Sequence, residues 1–176
     1  MERSEEWFDF FPTEERFGKT YPSTTVLVDM GGGLVHDIAF FQKRFPSLSG
    51  KLVLQDLSPV ISAITELNPA IERSIHNLFE PQPIKGAKAY YLRQVLHDFP
   101  DKEAIAILKN TRDAMSADSV LLLNENFLPE TDVPLFNAEI NFSMLACLAA
   151  MERTEKEWTE LLKAAGLKLV KVWTPK

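Results

Sequence analysis

The hydrophobic positions change period along the chain, and each change marks an element. Thr25-Val26-Leu27-Val28-Asp29-Met30 is a short apolar run broken by one acid, the pattern of a strand covered on both faces. Three consecutive glycines, Gly31, Gly32 and Gly33, end it. From Leu34 the spacing turns helical, with Leu34, Ile38, Phe41 and Phe45 on one face before Pro46. Residues 51–56 repeat the strand pattern and again end in an acid, Asp56. Ser58 followed by Pro59 predicts an N-cap and a first-turn proline, opening a helix to about Leu67. Residues 71–77 and 87–95 predict a third and a fourth strand, the latter carried by Tyr90, Tyr91, Leu92 and Val95. Asp101, after Pro100, is expected to cap a helix whose Ala104, Leu108 and Met115 share a face. Residues 119–125 form the fifth strand, through Val120-Leu121-Leu122-Leu123.

Two helical patterns follow. Residues 135–150 are mostly apolar and long enough for a buried helix. Thr154 with Glu157 three residues on makes a capping box, before Trp158, Leu161, Leu162 and Ala165 at helical spacing. Gly166 stops that helix, and residues 167–173 read as a last strand. At the other end, residues 1–24 read as a helical lead-in whose Trp7, Phe8, Phe10, Phe11 and Phe17 need a surface to cover. Residues 25–176 form the domain proper. The alternation of strand and helix predicts an α/β fold, a mostly parallel sheet with helices on both faces.

Composition narrows the function classes. At 176 residues with 45% hydrophobic positions, one domain with a full core is expected, and wholesale disorder is excluded. A net charge of −6 repels phosphate backbones, so no nucleic-acid partner is expected. A single cysteine makes neither an internal disulfide nor a thiolate zinc site, which fits a reducing, cytoplasmic setting. No apolar run approaches the roughly 18 residues of a membrane span, and MERSEEWFDF carries no apolar signal core.

The chemically useful groups collect at strand ends. In an open α/β sheet, ligands sit beyond the carboxyl ends of the strands, near the point where strand order reverses. That rim holds Asp29 and the glycines, Asp56, then His97 with Asp98, then Glu125. Glycines between strand and helix let a ligand approach the backbone and aim N–H groups at a carboxylate or phosphate. Asp56, roughly 20 residues on, is placed to accept bonds from ribose hydroxyls, so an adenosine-type ligand is expected. His36, His76 and His97 have no metal-ligand spacing with one another or with Cys147, so no metal is expected. A histidine at a strand end is often structural. Glu125 and Glu152, however, give His97 the carboxylate company of a general base. No G-x-S-x-G elbow supports a covalent hydrolase. Residues 142–148 are either plain core or, through Met144, Cys147 and Leu148, a soft wall for a flat aromatic substrate.

With these residues in view, the chain closely resembles the catalytic domain of the S-adenosylmethionine-dependent O-methyltransferases of the plant caffeic-acid type and their fungal relatives. The matching segments are Val28-Asp29-Met30-Gly31-Gly32-Gly33 and Leu54-Gln55-Asp56-Leu57-Ser58-Pro59-Val60-Ile61. They continue through Tyr90-Tyr91-Leu92-Arg93, Leu96-His97-Asp98-Phe99-Pro100-Asp101, Asn124-Glu125-Asn126-Phe127-Leu128-Pro129 and Met151-Glu152-Arg153-Thr154-Glu155-Lys156-Glu157. The resemblance implies a Rossmann-like methyltransferase core that uses S-adenosylmethionine and releases S-adenosylhomocysteine. It places Asp29, Gly31, Gly33 and Asp56 at the methionine end and ribose of the cofactor, Leu57, Asn77 and Leu78 near its adenine, and Arg93 where many relatives carry a lysine. It makes His97 the base for a phenolic or polyketide-type hydroxyl, with Glu125 and Glu152 orienting it, and Asp98, Met144, Cys147 and Leu148 beside a small aromatic or polyketide substrate.

The chain also departs from that pattern. Val35 stands where the family's last loop glycine would be, and Asn77 where an aspartate is frequent. Relatives carry an N-terminal helical domain that dimerises, and they run on past the last strand here. A trimmed core is therefore expected, acting as a homo-oligomer or with a full-length methyltransferase-like partner. Those departures keep a second reading open: a methyltransferase-like protein that no longer methylates and serves in a complex or in another reaction, such as a cyclisation. A nicotinamide-dependent oxidoreductase on a similar fold is a third reading, and nothing near His97 resembles a hydride-transfer site.

Overall fold

The computed structural model describes residues 6–129 and 152–173. Five strands, β1 (Thr25–Met30), β2 (Lys51–Asp56), β3 (Ile71–Ile75), β4 (Ala89–Arg93) and β5 (Val120–Asn124), form one sheet in the order β3-β2-β1-β4-β5. Every neighbouring pair is parallel, in agreement with the expected α/β fold. Side-chain alternation divides the core in two. Leu52, Leu54, Ala89 and Tyr91 face one layer, Val28, Met30, Tyr90 and Leu92 the other.

The first layer holds α1 (Trp7–Phe10), α2 (Thr13–Phe17), α3 (His36–Arg44) and α4 (Ser58–Ala63). Its packing is aromatic: Trp7 stacks on Phe41 at 5.4 Å and on Tyr91 at 5.0 Å between centroids. The lead-in aromatics are thus the cover of one sheet face, which is what their density required. The second layer is mostly aliphatic, with α5 (Asp101–Arg112) and α6 (Glu155–Ala164) laying Ile107, Leu108, Trp158, Leu161 and Leu162 against the sheet.

Several element ends differ from the expectations. α3 begins at His36, because Val35 takes a left-handed conformation and leaves Leu34 in the loop, 63% exposed. Leu57 rather than Ser58 is the N-cap of α4, and the helix ends at Ala63, where the chain turns so that Ile61 and Ile64 both enter the aromatic layer. Asp101 is the first residue of α5 and not its cap; its carboxylate is taken by Arg153 instead. Met115 lies past the end of α5. Residues 167–173 form no strand: Leu167 and Leu169 pack on the aliphatic layer and Trp173 on the aromatic one, so the segment passes between layers. The capping box of Thr154 and Glu157 is formed as expected. A short parallel pair that the pattern did not predict, β6 (Phe127–Leu128) with β7 (Arg153–Thr154), ties the chain after β5 to the start of α6. The helix expected over 135–150, with Met144, Cys147 and Leu148, lies outside the described residues.

Candidate active site

Strand order reverses between β1 and β4: from β1 the chain adds β2 and then β3 on one side, then returns to lay β4 on the other. Ligand crevices form at such switch points, outside the carboxyl ends of the strands. Here the loop after β1 is Gly31–Val35 and the turn after β4 carries His97. The two loops touch, since a Cβ on Gly31 would lie 2.9 Å from Val95 Cγ2.

The glycine loop is held by β2. Gly31 and Gly32 donate their N–H groups to the Gln55 carbonyl at 2.8 and 3.2 Å, and Gly33 donates to Asp56 Oδ2 at 2.9 Å. These donors are spent inside the protein, so they do not point at a ligand as the sequence suggested. Donors for an anion are left at the first turn of α3, whose leading N–H groups have no partner within the helix. Asp56 also accepts from Leu57 N at 2.7 Å, and each of its oxygens keeps a further lone pair. Beneath the loop lies Asp29, 2% exposed, whose Oδ2 has no hydrogen-bond partner among the described residues. A Cβ at Gly32 would collide with Leu54 Cδ1 and stand 2.7 Å from that carboxylate, which is why the position is glycine. Burial, then the charges of Asp37 and Asp56, push the Asp29 carboxyl up to about 8.

Val35 closes the loop at φ +83°, the left-handed region that a β-branched side chain rarely adopts. Of the other expected cofactor residues, Leu57 is exposed and Leu78 half-buried. Asn77 folds back on its own chain, accepting from Phe79 N at 3.1 Å. Arg93 is ion-paired with Asp37, and Asp37 accepts from Tyr91 Oη at 2.6 Å, which in turn accepts from Asn124 Nδ2 at 2.9 Å. This network ties β4, β5 and the start of α3 together beside the loop. Burial, and then the Asp37 charge, raise the Tyr91 phenol, so it stays a neutral donor. Only Arg93 of this group was expected at the site.

On the other side of the crevice, His97 sits in a 3-10 turn, Leu96–Asp98, with its side chain 16% exposed. Its Nδ1 is 3.0 Å from Glu152 Oε1, and its Nε2 is 3.5 Å from Asp98 Oδ1. Asn126 Nδ2 donates to the same Glu152 oxygen at 3.3 Å. Glu125 acts on the backbone rather than on the ring: its Oε1 accepts from Val95 N at 3.1 Å and Leu96 N at 2.9 Å. Burial alone would hold the imidazole down, but the Glu152 hydrogen bond and the charges of Glu125, Glu152 and Asp98 outweigh it, and the pKa of His97 is raised above 6.5. Burial raises Glu125, against the two backbone donors and the His97 charge. The expected trio of His97, Glu125 and Glu152 is therefore one cluster. Among the described residues no group of His, Cys, Asp and Glu is placed to hold a metal ion, and no helix is long and apolar enough to cross a membrane.

Comparison with known proteins adds to this geometry. The O-methyltransferase domain family matches residues 18–168. Demethylsterigmatocystin 6-O-methyltransferase stcP of Emericella nidulans is 40% identical over 171 residues, covering 97% of this chain and 83% of that protein. The solved complex of LepI with SAM superposes with a TM-score of 0.91 at 35% identity, over 97% of this chain and 45% of that one. A structure described as a pericyclic reaction enzyme superposes with a TM-score of 0.92 at 35% identity, over 98% of this chain and 46% of that one. The chain thus spans less than half the length of both solved relatives.

Proposed function

The chain belongs to the O-methyltransferase domain family, and on that premise we propose that it binds S-adenosylmethionine against the glycine loop and methylates a phenolic or polyketide-type hydroxyl, with His97 as general base. The observation that carries this reading is the pairing of His97 Nδ1 with buried Glu152 beside a glycine loop at the same switch point.

The residues present suit such a cofactor. The unpartnered Oδ2 of Asp29 under the loop would accept a cationic group, whose charge would favour the ionised carboxyl that burial otherwise keeps largely protonated near neutral pH, and Asp56 at the rim keeps lone pairs for hydroxyls. Arg93, Leu57 and Leu78 border the same rim, and Gly31 and Gly33 leave it open to close approach. When bound, S-adenosylmethionine supplies a methyl group activated by its sulfonium charge.

The protein's own part is positional and electrostatic. A phenol with a pKa of about 10 is neutral near pH 7, and attack on the methyl carbon requires loss of its proton. With Nδ1 engaged by Glu152, the neutral imidazole presents Nε2 as acceptor to the crevice. His97 takes the proton as the oxygen–carbon bond forms and the carbon–sulfur bond breaks, and Glu152 stabilises the imidazolium. Asp98 beside Nε2 orients the incoming hydroxyl. Glu125 holds the backbone that enters the turn.

Isothermal titration with S-adenosylmethionine, followed by transfer of a labelled methyl group to a panel of phenols and polyketide aromatics, tests the reading. Heat of binding and methylated product support it; no heat at millimolar cofactor sinks it for this chain. A second reading has its own observation in Val35 at φ +83° and in the likeness to the pericyclic reaction enzyme. Under it the cofactor site is retained and the hydroxyl chemistry is not. Cofactor binding with no labelled product across the panel, and ring closure of a polyene substrate, would select it.

A further inference from the structure

Next to Glu152 in the chain stands Arg153, which the sequence presents as one more charge in a charged stretch and the structure buries to 1% exposure. Among the described residues its guanidinium makes four hydrogen bonds, to the turn that carries His97 and to the helix start just beyond. Nη1 donates to the Leu96 carbonyl at 3.0 Å, and Nη2 to the Phe99 carbonyl at 2.8 Å. Nε and Nη2 donate to Asp101 Oδ1 at 3.0 and 2.9 Å. The Trp158 ring lies under the guanidinium, 5.3 Å from its carbon to the ring centroid.

A fully buried cation is costly, and among the described residues this one is ion-paired with Asp101, whose side chain is 70% exposed. The arrangement has a geometric return. Leu96 precedes His97 and Phe99 follows Asp98, so the guanidinium grips the backbone on both sides of the imidazole. Glu152 meanwhile grips the ring itself. Because Glu152 immediately precedes Arg153, the first residue of β7, one stretch of backbone sets both contacts. The planar fork is needed here. A lysine ammonium carries the charge but does not reach two carbonyls and a carboxylate in one plane.

We propose that Arg153 is a positioning residue for the His97 base: it fixes the turn Leu96–Asp98 so that Nδ1 meets Glu152 and Nε2 faces the crevice. The inference rests on the reading of His97 as the base, and the test separates the two. The imidazole of His97 is followed by heteronuclear NMR in the intact chain, giving its titration and the tautomer of its two nitrogens, for wild type, Arg153→Lys and Asp101→Asn. Methyl transfer and cofactor titration are run in parallel.

Wild type shows a raised His97 pKa with the proton on Nδ1. In Arg153→Lys the titration moves down towards the ordinary histidine range and the tautomer preference weakens. kcat falls by about 100-fold, as a displacement near 1 Å costs, while cofactor Kd stays within about twofold. Asp101→Asn, at an exposed position, releases one arm of the fork and shows the same changes to a smaller extent, so the test survives if Arg153→Lys does not fold. A folded Arg153→Lys or Asp101→Asn with an unshifted His97 titration and unchanged kcat overturns the positioning role alone. A wild-type His97 with an ordinary titration and mixed tautomers overturns the His97 reading beneath it.

Discussion

The two sides of the crevice differ in what the protein holds in place. On the β4 side His97 and the backbone around it are held by protein groups: Glu152 on the ring, Glu125 on the backbone entering the turn, Arg153 on the carbonyls around it, although Glu125 Oε2 is itself without a partner among the described residues. On the β1 side the site is unfinished. The glycine loop spends its donors on β2, closes on a strained Val35, and covers a carboxylate whose Oδ2 has no partner among the described residues. A finished polar cluster is preorganised and needs no ligand to hold its geometry, whereas an unfinished one gains when a ligand completes it. On the proposed reading, the His97 side takes the substrate proton and the glycine side receives the cofactor.

The largest expected effect falls on the His97 side. His97→Ala lowers methyl transfer by about 10²- to 10⁴-fold and leaves the heat of cofactor binding unchanged, read by labelled-methyl assay and calorimetry. Retained turnover would remove His97 from the mechanism. The rate should also fall on acidification at a pH above that of an ordinary histidine, because the base works unprotonated and its pKa is raised. A pH–rate profile shows where that limb lies.

Stability against pH sharpens the same comparison. Both groups bind a proton more tightly folded than unfolded, so both contribute stability at low pH that is lost as pH rises. For Asp29 the loss runs from about pH 4 to about pH 8, between its ordinary value of 3.8 and its folded value of about 8. For His97 it begins near its ordinary value of 6.5 and continues upward through the raised one. Thermal melts across that range should therefore show the wild type losing stability from pH 4 onward. Asp29→Asn should show a shallower slope over that range, the remaining loss being carried by Glu125, which burial also raises from 4.5, and then by His97; a wild-type-like slope in that variant would contradict the assignment.

Smaller effects follow. Tyr91→Phe removes the hydroxyl shared by Asp37 and Asn124 and should cost about 1–3 kcal/mol, measured by denaturant unfolding. Val35→Gly relieves a left-handed β-branched residue worth roughly 1–2 kcal/mol, and should tighten cofactor binding by up to about tenfold. An unchanged Kd would show that the strain is carried equally by free and bound loops. Thr154→Ala removes the α6 cap, on neither side of the crevice, and should cost only about 1 kcal/mol of stability with kcat unchanged.

Much of this site was legible because it lies where pattern and position coincide. An acid or histidine at the end of an apolar run is visible as a break in that run, and Asp29, Asp56, His97 and Glu125 all stand there. Asp37, Tyr91, Asn126 and Arg153 were not legible. Tyr91 reads as one more apolar strand residue, and Asp37, 54 positions away, as a first-turn acid of α3; only the β1–β4 adjacency joins them. Arg153 reads as surface charge because nothing local shows that its side chain turns inward. The strand expected over 167–173 failed for the same kind of reason: an apolar run does not say whether an edge is free to receive it.

By itself, the sequence determined the alternation of parallel strands and helices, the glycine turn after the first strand, and the capping box before the last helix. Each of these is set by period, turn chemistry or a contact three residues away. The tertiary structure alone decided that the glycine donors turn inward to β2, that Asp29 is left with an unpartnered oxygen, and that Arg153 closes on the His97 turn. Those outcomes depend on groups more than 20 residues apart meeting in one place. Such meetings follow from strand order and burial, which no local stretch of the chain encodes.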